Sequence, residues 1–467
     1  MIDTEYDVVV LGAGPAGEVA AGRCSEGGLS VAVVERELVG GECSYWGCIP
    51  SKTLLRPGDV LAAARRVPGA AEAVTGRLDL AAALARRTDM TGDWHDEGQL
   101  AWLERYGVDL VRGVGRLAGE RVVEVDTPDG DAHRLRARRA VVLATGTVPA
   151  VPPVPGLREL DAWDNRDVTA ATALPARLLV LGGGAIGVEM AQAVRRLGGG
   201  AVTVVEGAER LLAREEPFAG EEVRRGLEAD GIEVVTGVTL ASAERDGDSG
   251  VVTAVLADGR RLQGDELLVA VGRRPHTDDL GLESVALEPG RAVAVDDAYR
   301  AEGVAGGWLY AVGDCNGRAL LTHMGKHQAR LAADVILGRA PDLSPAADRE
   351  AVPRVTFTDP QVAAVGLTEV QARERGLQVR TVRADLADVP GAATRGEGVA
   401  GTGFLVVDEE RRVVVGATFT GPGVQELVHA ATVAVVGAVS LDRLWHAVPS
   451  FPTLSEVWLR LLEAYGL

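Results

Sequence analysis

Cys43 and Cys48 stand five residues apart in GGECSYWGCIPSK, residues 40–52. Two thiols so close in sequence can form a redox-active disulfide, hold a metal ion, or sit inert in a core. In an undistorted helix, residues five apart have Cα atoms roughly 8–9 Å apart on different faces. A disulfide needs Cα atoms within about 7 Å. Bridging therefore requires Cys43 in a turn just before a helix that carries Cys48. The pair Gly40-Gly41 suits such a turn, and Pro50 suits a first helical turn. A thiolate at a helix N-terminus is favoured by the dipole and by a nearby cation such as Lys52. Zinc is a poor alternative, because no second Cys/His pair has ligand spacing, and no metal site is expected. Only Lys52 and Lys326 are lysines in a chain otherwise drifted to arginine, so Lys52 beside the thiols points to a need for an ammonium there, with chance retention as the alternative.

These thiols need a scaffold, and two segments supply its outline. DVVVLGAGPAGEVAA (7–21) and RLLVLGGGAIGVEMA (177–191) each run apolar strand, GxGxxG, helix. Each is followed by a second strand ending in an acid, Glu35 and Glu206, at 23 and 24 residues from the first glycine. In such a motif the first glycine (Gly12, Gly182) permits the tight turn. The second (Gly14, Gly184) lets a pyrophosphate approach the backbone, and the third (Gly17, Gly187) lets helix and strand pack closely. The acid accepts from a ribose diol. One such motif is weak evidence; two with matching strand, helix and acid are strong. Two dinucleotide sites suggest a flavin and a nicotinamide. GGWLYAVGDCNG (306–317), with Gly313 and Asp314, and AVVLATGTVP (140–149), with Thr145 and Gly146, add strand-end turns suited to FAD. They flank the second motif, so the first domain is expected to be split by the second. The Pro-rich VPAVPPVPGL (148–157) marks the way out, VGRRPHT (271–277) the way back, and ILGRAPDLSPAADRE (336–350) reads as a linker. Strands RVTFTD, GTGFLVVD and RVVVGATFTG follow, with helices from GVQELVHAATVAVV and EVWLRLLEAYG, as a third, α+β domain.

The bulk numbers agree. The 467 residues suffice for several domains, 47% are hydrophobic, and charged residues at 25% argue against wholesale disorder. A formal net charge of −19 argues against a nucleic-acid or anionic-membrane surface. No apolar run of ~18 residues suggests a membrane span. The acidic N-terminus enters a strand at once, so a cytoplasmic protein is expected. Four cysteines are too few for a disulfide scaffold of this size, so any disulfide is expected to be catalytic.

The order of these motifs resembles the class I pyridine nucleotide–disulfide oxidoreductases, the family of lipoamide dehydrogenase, glutathione reductase and mercuric reductase, over nearly the whole chain. The resemblance implies an α/β fold with two doubly wound, Rossmann-like dinucleotide-binding domains and a C-terminal α+β dimerisation domain. The implied division is FAD domain at 1–152 and 277–346, NAD(P) domain at 153–276, and dimerisation domain at 347–467. It also implies that Cys48 is the thiol facing the flavin and Cys43 the interchange thiol. Lys52 and Glu189 would be an ion pair beside the flavin. The FAD residues would be Gly12, Gly14, Gly17, Glu35, Gly41, Lys52, Thr145, Gly146, Asp314 and Thr322. The nicotinamide residues would be Gly182, Gly184, Gly187, Glu206, Val238, Gly272 and Arg273. Glu206 favours NAD over NADP, because an acid there repels a 2′-phosphate, although Arg210 stands nearby.

One family element is missing. Lipoamide dehydrogenase ends in His-Pro-Thr-x-x-Glu, whose histidine moves the interchange thiol's proton and whose glutamate orients it. This chain reads Phe451-Pro452-Thr453-Leu454-Ser455-Glu456, with flanks that match without a gap. His446 matches a non-catalytic position, with a substitute base as the alternative. Mercuric reductase also lacks the histidine but carries a C-terminal cysteine pair, absent from the EAYGL end here. The expected function is an FAD-dependent NAD(P)H oxidoreductase, a homodimer with a redox-active Cys43–Cys48 disulfide. It would pass electrons to a small-molecule acceptor such as a quinone, a metal ion or a small disulfide. A dihydrolipoyl dehydrogenase with an unusual base and a flavin-holding redox sensor without turnover are the alternatives.

Overall fold

The computed structural model describes residues 2–343 and 346–467. Its contacts divide the chain into two compact units, one of Met1–Pro50, Thr88–Pro149 and Arg273–Arg349, the other of Ser51–Arg87, Ala150–Gly272 and Glu350–Leu467.

The first unit is built on a seven-stranded sheet. Strand β1 (Ile2–Leu11) runs through Val8, Val9 and Val10, which are fully buried, as a strand covered on both faces requires. After the Gly12–Gly14 turn, helix α1 (Pro15–Glu26) starts with proline in its first turn, where no amide donor is missed. Strand β2 (Val31–Glu35) returns parallel to β1. Helix α2 (Gly41–Tyr45) and helix α3 (Cys48–Arg65) follow. Strands β3 (Asp109–Arg112), β4 (Val114–Leu117), β5 (Val122–Asp126) and β6 (Ala132–Leu143) complete the order β3-β2-β1-β6-β5-β4. The first half of β6 pairs antiparallel with β5; its last residues pair parallel with the strand Leu309–Ala311. The short strand β7 (Thr147–Pro149) pairs with Arg273–Pro275. Helix Thr322–Ile336 packs on α1 through small residues, with Ala20, Ala21, Ala329, Ala332 and Ala333 all at most 1% exposed. Residues 344 and 345 of the expected linker lie outside the described residues.

The second unit repeats the motif in a four-stranded parallel sheet, in the order 233–235, 201–205, 177–181, 266–269. Helix Ala185–Arg196 follows its glycine turn. A three-stranded antiparallel sheet, 240–245, 252–256 and 261–264, is attached. The C-terminal part is a five-stranded antiparallel sheet covered by helices Val428–Val436 and Val457–Tyr465. Three of its strands and both helices match the sequence expectation; Gln361–Gly366 and Val379–Asp385 are additional.

Candidate active site

In the first motif the glycines do different jobs. Gly12 takes φ +97°, and a Cβ there would lie 2.6 Å from the Ala144 carbonyl oxygen. A Cβ on Gly17 would lie 1.9 Å from the Gly12 oxygen, so helix and turn can meet only at glycine. Nothing fills the space beside Gly14, which leaves the N-terminus of α1 open to an anion. Glu35 closes the motif: its carboxylate accepts from Ala13 N at 2.7 Å and Glu37 N at 2.8 Å.

Thr145 and Gly146, the latter at φ +70°, turn the chain after β6, and Thr145 Oγ1 donates to His276 O at 2.8 Å. Next to them Thr147 Oγ1 donates to Asp314 Oδ2 at 3.0 Å. Burial pushes the Asp314 carboxyl up, against the opposing pull of Thr147 and the Arg273 charge. Arg273, expected among the nicotinamide residues, meets partners in the first unit. It belongs to the first unit, donating to Thr147 Oγ1 and O, both at 2.8 Å, and pairing with Glu42 at 3.0 Å. Its strand pairs with β7, which draws it to this side. Thr147 and Glu42 were not expected as site residues; only the pairing of β7 reveals them.

The thiols stand beside this cluster in sequence and in the same unit. Cys43 lies within the short helix α2, where a plain turn was expected, and Cys48 opens α3. Gly40 and Gly41 take φ +113° and +58°, the left-handed conformations that let α2 fold back. A Cβ on Gly41 would come 2.8 Å from Gly14 Cα, so the cysteine-bearing segment lies directly on the glycine turn. Thr322, expected at the flavin, has its hydroxyl 3.3 Å from the Cys48 sulfur. The Cys48 sulfur, by its hydrogen bond, and then burial push the Cys43 thiol far above the ordinary range, while Thr322 and Lys326 pull the other way. Among the described residues no group of three or more His, Cys, Asp or Glu could hold a metal ion.

In the second unit the repeat is close. Gly182 takes φ +111°, a Cβ on Gly187 would lie 1.9 Å from Gly182 O, and Gly184 faces open space. Glu206 accepts from Gly183 N and Ala208 N, each at 2.6 Å. Val238 N donates to Glu206 O, and Gly272 holds φ +135°. Lys52 and Glu189 meet at 2.7 Å, with the Glu189 side chain 4% exposed. The second Glu189 oxygen accepts from Phe357 N at 2.8 Å, and Lys52 Nζ stands 4.9 Å from the Phe357 ring centroid. This ammonium is therefore held twice, one helical turn along α3 from Cys48. In the C-terminal part the Thr453 backbone lies against Gly391, where a Cβ would come 2.1 Å from the Thr453 carbonyl carbon. Phe451 is 74% exposed, whereas Glu456 is buried and its Oε2 has no hydrogen-bond partner among the described residues.

The chain belongs to the pyridine nucleotide-disulphide oxidoreductase family: the model of that name matches residues 6–334, and the model of the family's dimerisation domain matches residues 352–461. It is a flavoenzyme of that class, with FAD and NAD(P)H as its cofactors. Mercuric reductase of Staphylococcus aureus is 32% identical over 456 residues, covering 97% of this chain and 81% of the relative. Dihydrolipoyl dehydrogenase of Chlorobaculum tepidum is 34% identical over 460 residues, covering 97% and 95%. Among solved structures, LpdA from Mycobacterium tuberculosis superposes with TM-score 0.86 at 26% identity over the whole of both chains. A Cu(II) complex of the HOCl-induced flavoprotein disulfide reductase RclA from Escherichia coli gives 0.84 at 25% identity, over 98% and 99%. The residues present fit the cofactors: two open helix N-termini each with a strand-end carboxylate, and a half-buried Asp314 carboxyl beside the first.

Proposed function

We propose that this enzyme moves electrons from NADH to a Cys43–Cys48 disulfide and on to an acceptor that needs no imidazole base, such as a quinone, a metal ion or a small disulfide. FAD, bound at Gly12, Gly14, Gly17, Glu35, Thr145, Gly146 and Asp314, supplies hydride acceptance and two-electron delivery. Gly182, Gly184, Gly187 and Glu206 hold the nicotinamide cofactor. Lys52, fixed by Glu189, keeps a positive charge one turn from Cys48. Residues 1–152 and 277–346 form the FAD domain, 153–276 the NAD(P) domain and 347–467 the dimerisation domain. NADH is favoured over NADPH, because the Arg210 guanidinium is committed to the Ala213 and Glu215 carbonyls and leaves Glu206 to select a ribose diol.

The observation that carries the reading is at Phe451. A phenyl ring stands where a proton carrier is needed, and the carboxylate that should orient that carrier has an unpartnered buried oxygen. General-base catalysis contributes about 10²–10⁴-fold, so oxidation of a dithiol such as dihydrolipoamide should be poor. The test is NADH oxidation with a panel of quinones, metal salts and disulfides, beside dihydrolipoamide as sole donor. Fast dihydrolipoamide oxidation by the parent enzyme would instead support a dihydrolipoyl dehydrogenase. Absence of turnover with every acceptor would support a sensor.

The working form is a cytoplasmic homodimer. Val433, Val436, Trp445, Val448 and Phe451 are exposed within one short stretch of the dimerisation segment, an apolar surface that a second copy would cover. Light scattering should give twice the chain mass; a fully active monomer would refute this.

A further inference from the structure

The Lys52–Glu189 pair has a third member, and it comes from the C-terminal part of the chain. Residues 354–359 are tied to helix Ala185–Arg196 at Glu189 and Gln192, which stand three apart and share a helix face. Phe357 N donates to Glu189 Oε1 at 2.8 Å, and Asp359 N donates to Gln192 Oε1 at 2.7 Å. The Gln192 amide donates back to Asp359 O at 3.0 Å. Arg66 and Arg196 reach the Asp359 carboxylate at 2.7 and 3.0 Å. At the other end Arg354 pairs with Glu215 at 2.8 Å. The segment is fixed at both ends, with Phe357 between them.

Phe357 meets both members of the ion pair. Its backbone N–H holds one Glu189 oxygen, and Lys52 Nζ takes the other at 2.7 Å. With a donor on each oxygen, the buried carboxylate keeps one orientation. The Phe357 ring lies under the ammonium, 4.9 Å from Nζ to the ring centroid, within the range at which a π face attracts a cation. The ring packs on the apolar cluster that contains Leu54 and Leu55 of α3 and Val188 of the glycine-motif helix. The Lys52 side chain is 36% exposed, so a flexible four-carbon stem with one ion pair is free to swing its ammonium toward water. The ring opposes that swing.

We propose that Phe357 is a positioning residue of the hydride half-reaction: its ring keeps the Lys52 ammonium in place while its backbone N–H keeps Glu189. The proposal rests on the reading of Lys52 as the charge beside the flavin. In that half-reaction one hydride moves from NADH to FAD. NAD⁺ is left behind, and one negative charge arrives on the flavin side. An ammonium already fixed there stabilises that charge without reorganising during the step, which a mobile one cannot do. Because the N–H belongs to the backbone, the ring can be altered while Glu189 keeps its donor.

The test replaces Phe357 with phenylalanines carrying one, two and three ring fluorines, which keep the ring's shape while weakening its negative face. Two quantities are read in the FAD-loaded proteins. One is the limiting rate of flavin reduction by NADH in anaerobic stopped flow. The other is the flavin midpoint potential, measured by equilibration with reference dyes. The limiting rate should fall with each fluorine, to about a tenth of the parent value at three. The potential should become more negative in the same order, and the NADH concentration for half-saturation should stay constant. Phe357→Leu should match the trifluorinated protein, and Phe357→Tyr should keep the parent values. A rate and potential that stay flat across the fluorine series overturn the proposal and leave the NADH-to-flavin reading intact. So does a loss confined to half-saturation. Should Phe357→Leu lose FAD or fail to fold, the fluorine series still decides. If NADH fails to reduce the flavin of the parent, the proposed function falls and this proposal with it.

Discussion

The two glycine motifs are near copies, and they differ in chemistry at the two positions after the third glycine, Glu18-Val19 in the first and Val188-Glu189 in the second. Both start a 12-residue helix from an extended N-cap glycine, at φ −70° and −76°. Both bring helix and turn together through a glycine with a forbidden Cβ site 1.9 Å from a carbonyl oxygen. Both end in a carboxylate that braces the turn from a strand end. The next residue is Glu18 in the first copy and Val188 in the second. Val188 is fully buried in an apolar core. Glu18 is a half-buried acid whose carboxyl burial pushes up, with the Lys326 charge opposing. A phosphate cradle needs only the glycines and the helix start, so the position after them is open to specialisation. The second copy uses it for packing, and the first keeps an ionisable group there.

If the two copies serve separate half-reactions, a change in one should leave the other untouched. The largest effect is expected for Phe451→His. It should raise dihydrolipoamide oxidation by about 10²–10⁴-fold, because the ring gains a proton site and Glu456 Oε2 gains a partner. NADH-to-quinone turnover, measured in the same preparation, should barely change. Gly187→Ala should cost about 10²-fold in the rate of reduction by NADH, since the new methyl forces the helix off its turn. The protein should still be yellow and release FAD on denaturation; loss of flavin would mean the copies are not independent. Glu206→Ala should narrow the preference for NADH over NADPH by about tenfold in kcat/KM, a loss of roughly 1.4 kcal/mol of discrimination. The smallest effect concerns stability. Glu18 has a folded pKa raised to about 7 from 4.5, so the folded protein favours its neutral form. That contribution is fully present below about pH 4.5 and is lost as pH rises through 7. Glu18→Gln should therefore raise Tm relative to the parent by about 2 °C more at pH 8 than at pH 5. Equal shifts at both pH values would show that Glu18 does not titrate there.

Short-range patterns were legible in the sequence and longer-range ones were not. Both glycine motifs, Glu35 and Glu206, the thiol pair and the Phe451 replacement are written in local spacing, and their geometry follows from it. Strand Gln361–Gly366 is buried along its whole length, so it shows no alternation to read. In Val379–Asp385 the buried valines stand three apart, which hides the period-two signal. The pairing of the Arg273 strand with β7 was not legible, because β7 lies far back in the chain. Cys43 was expected in a turn, since a helix of one turn leaves no periodic trace. Glu18 was read only as part of the glycine motif.

The scarcity of lysine has a practical consequence. An amine-selective reagent has only two side chains to find in this chain, and both lie on helix faces that lead to the thiols. Lys52 is partly shielded by Glu189 and the Phe357 ring. Acetylation would therefore act as a reporter with almost no background. The extent of modification at Lys52 and Lys326, compared between the oxidised and NADH-reduced protein, would read the electrical state of the sulfur pair from a mass shift alone, without an acceptor, an assay or a spectrum.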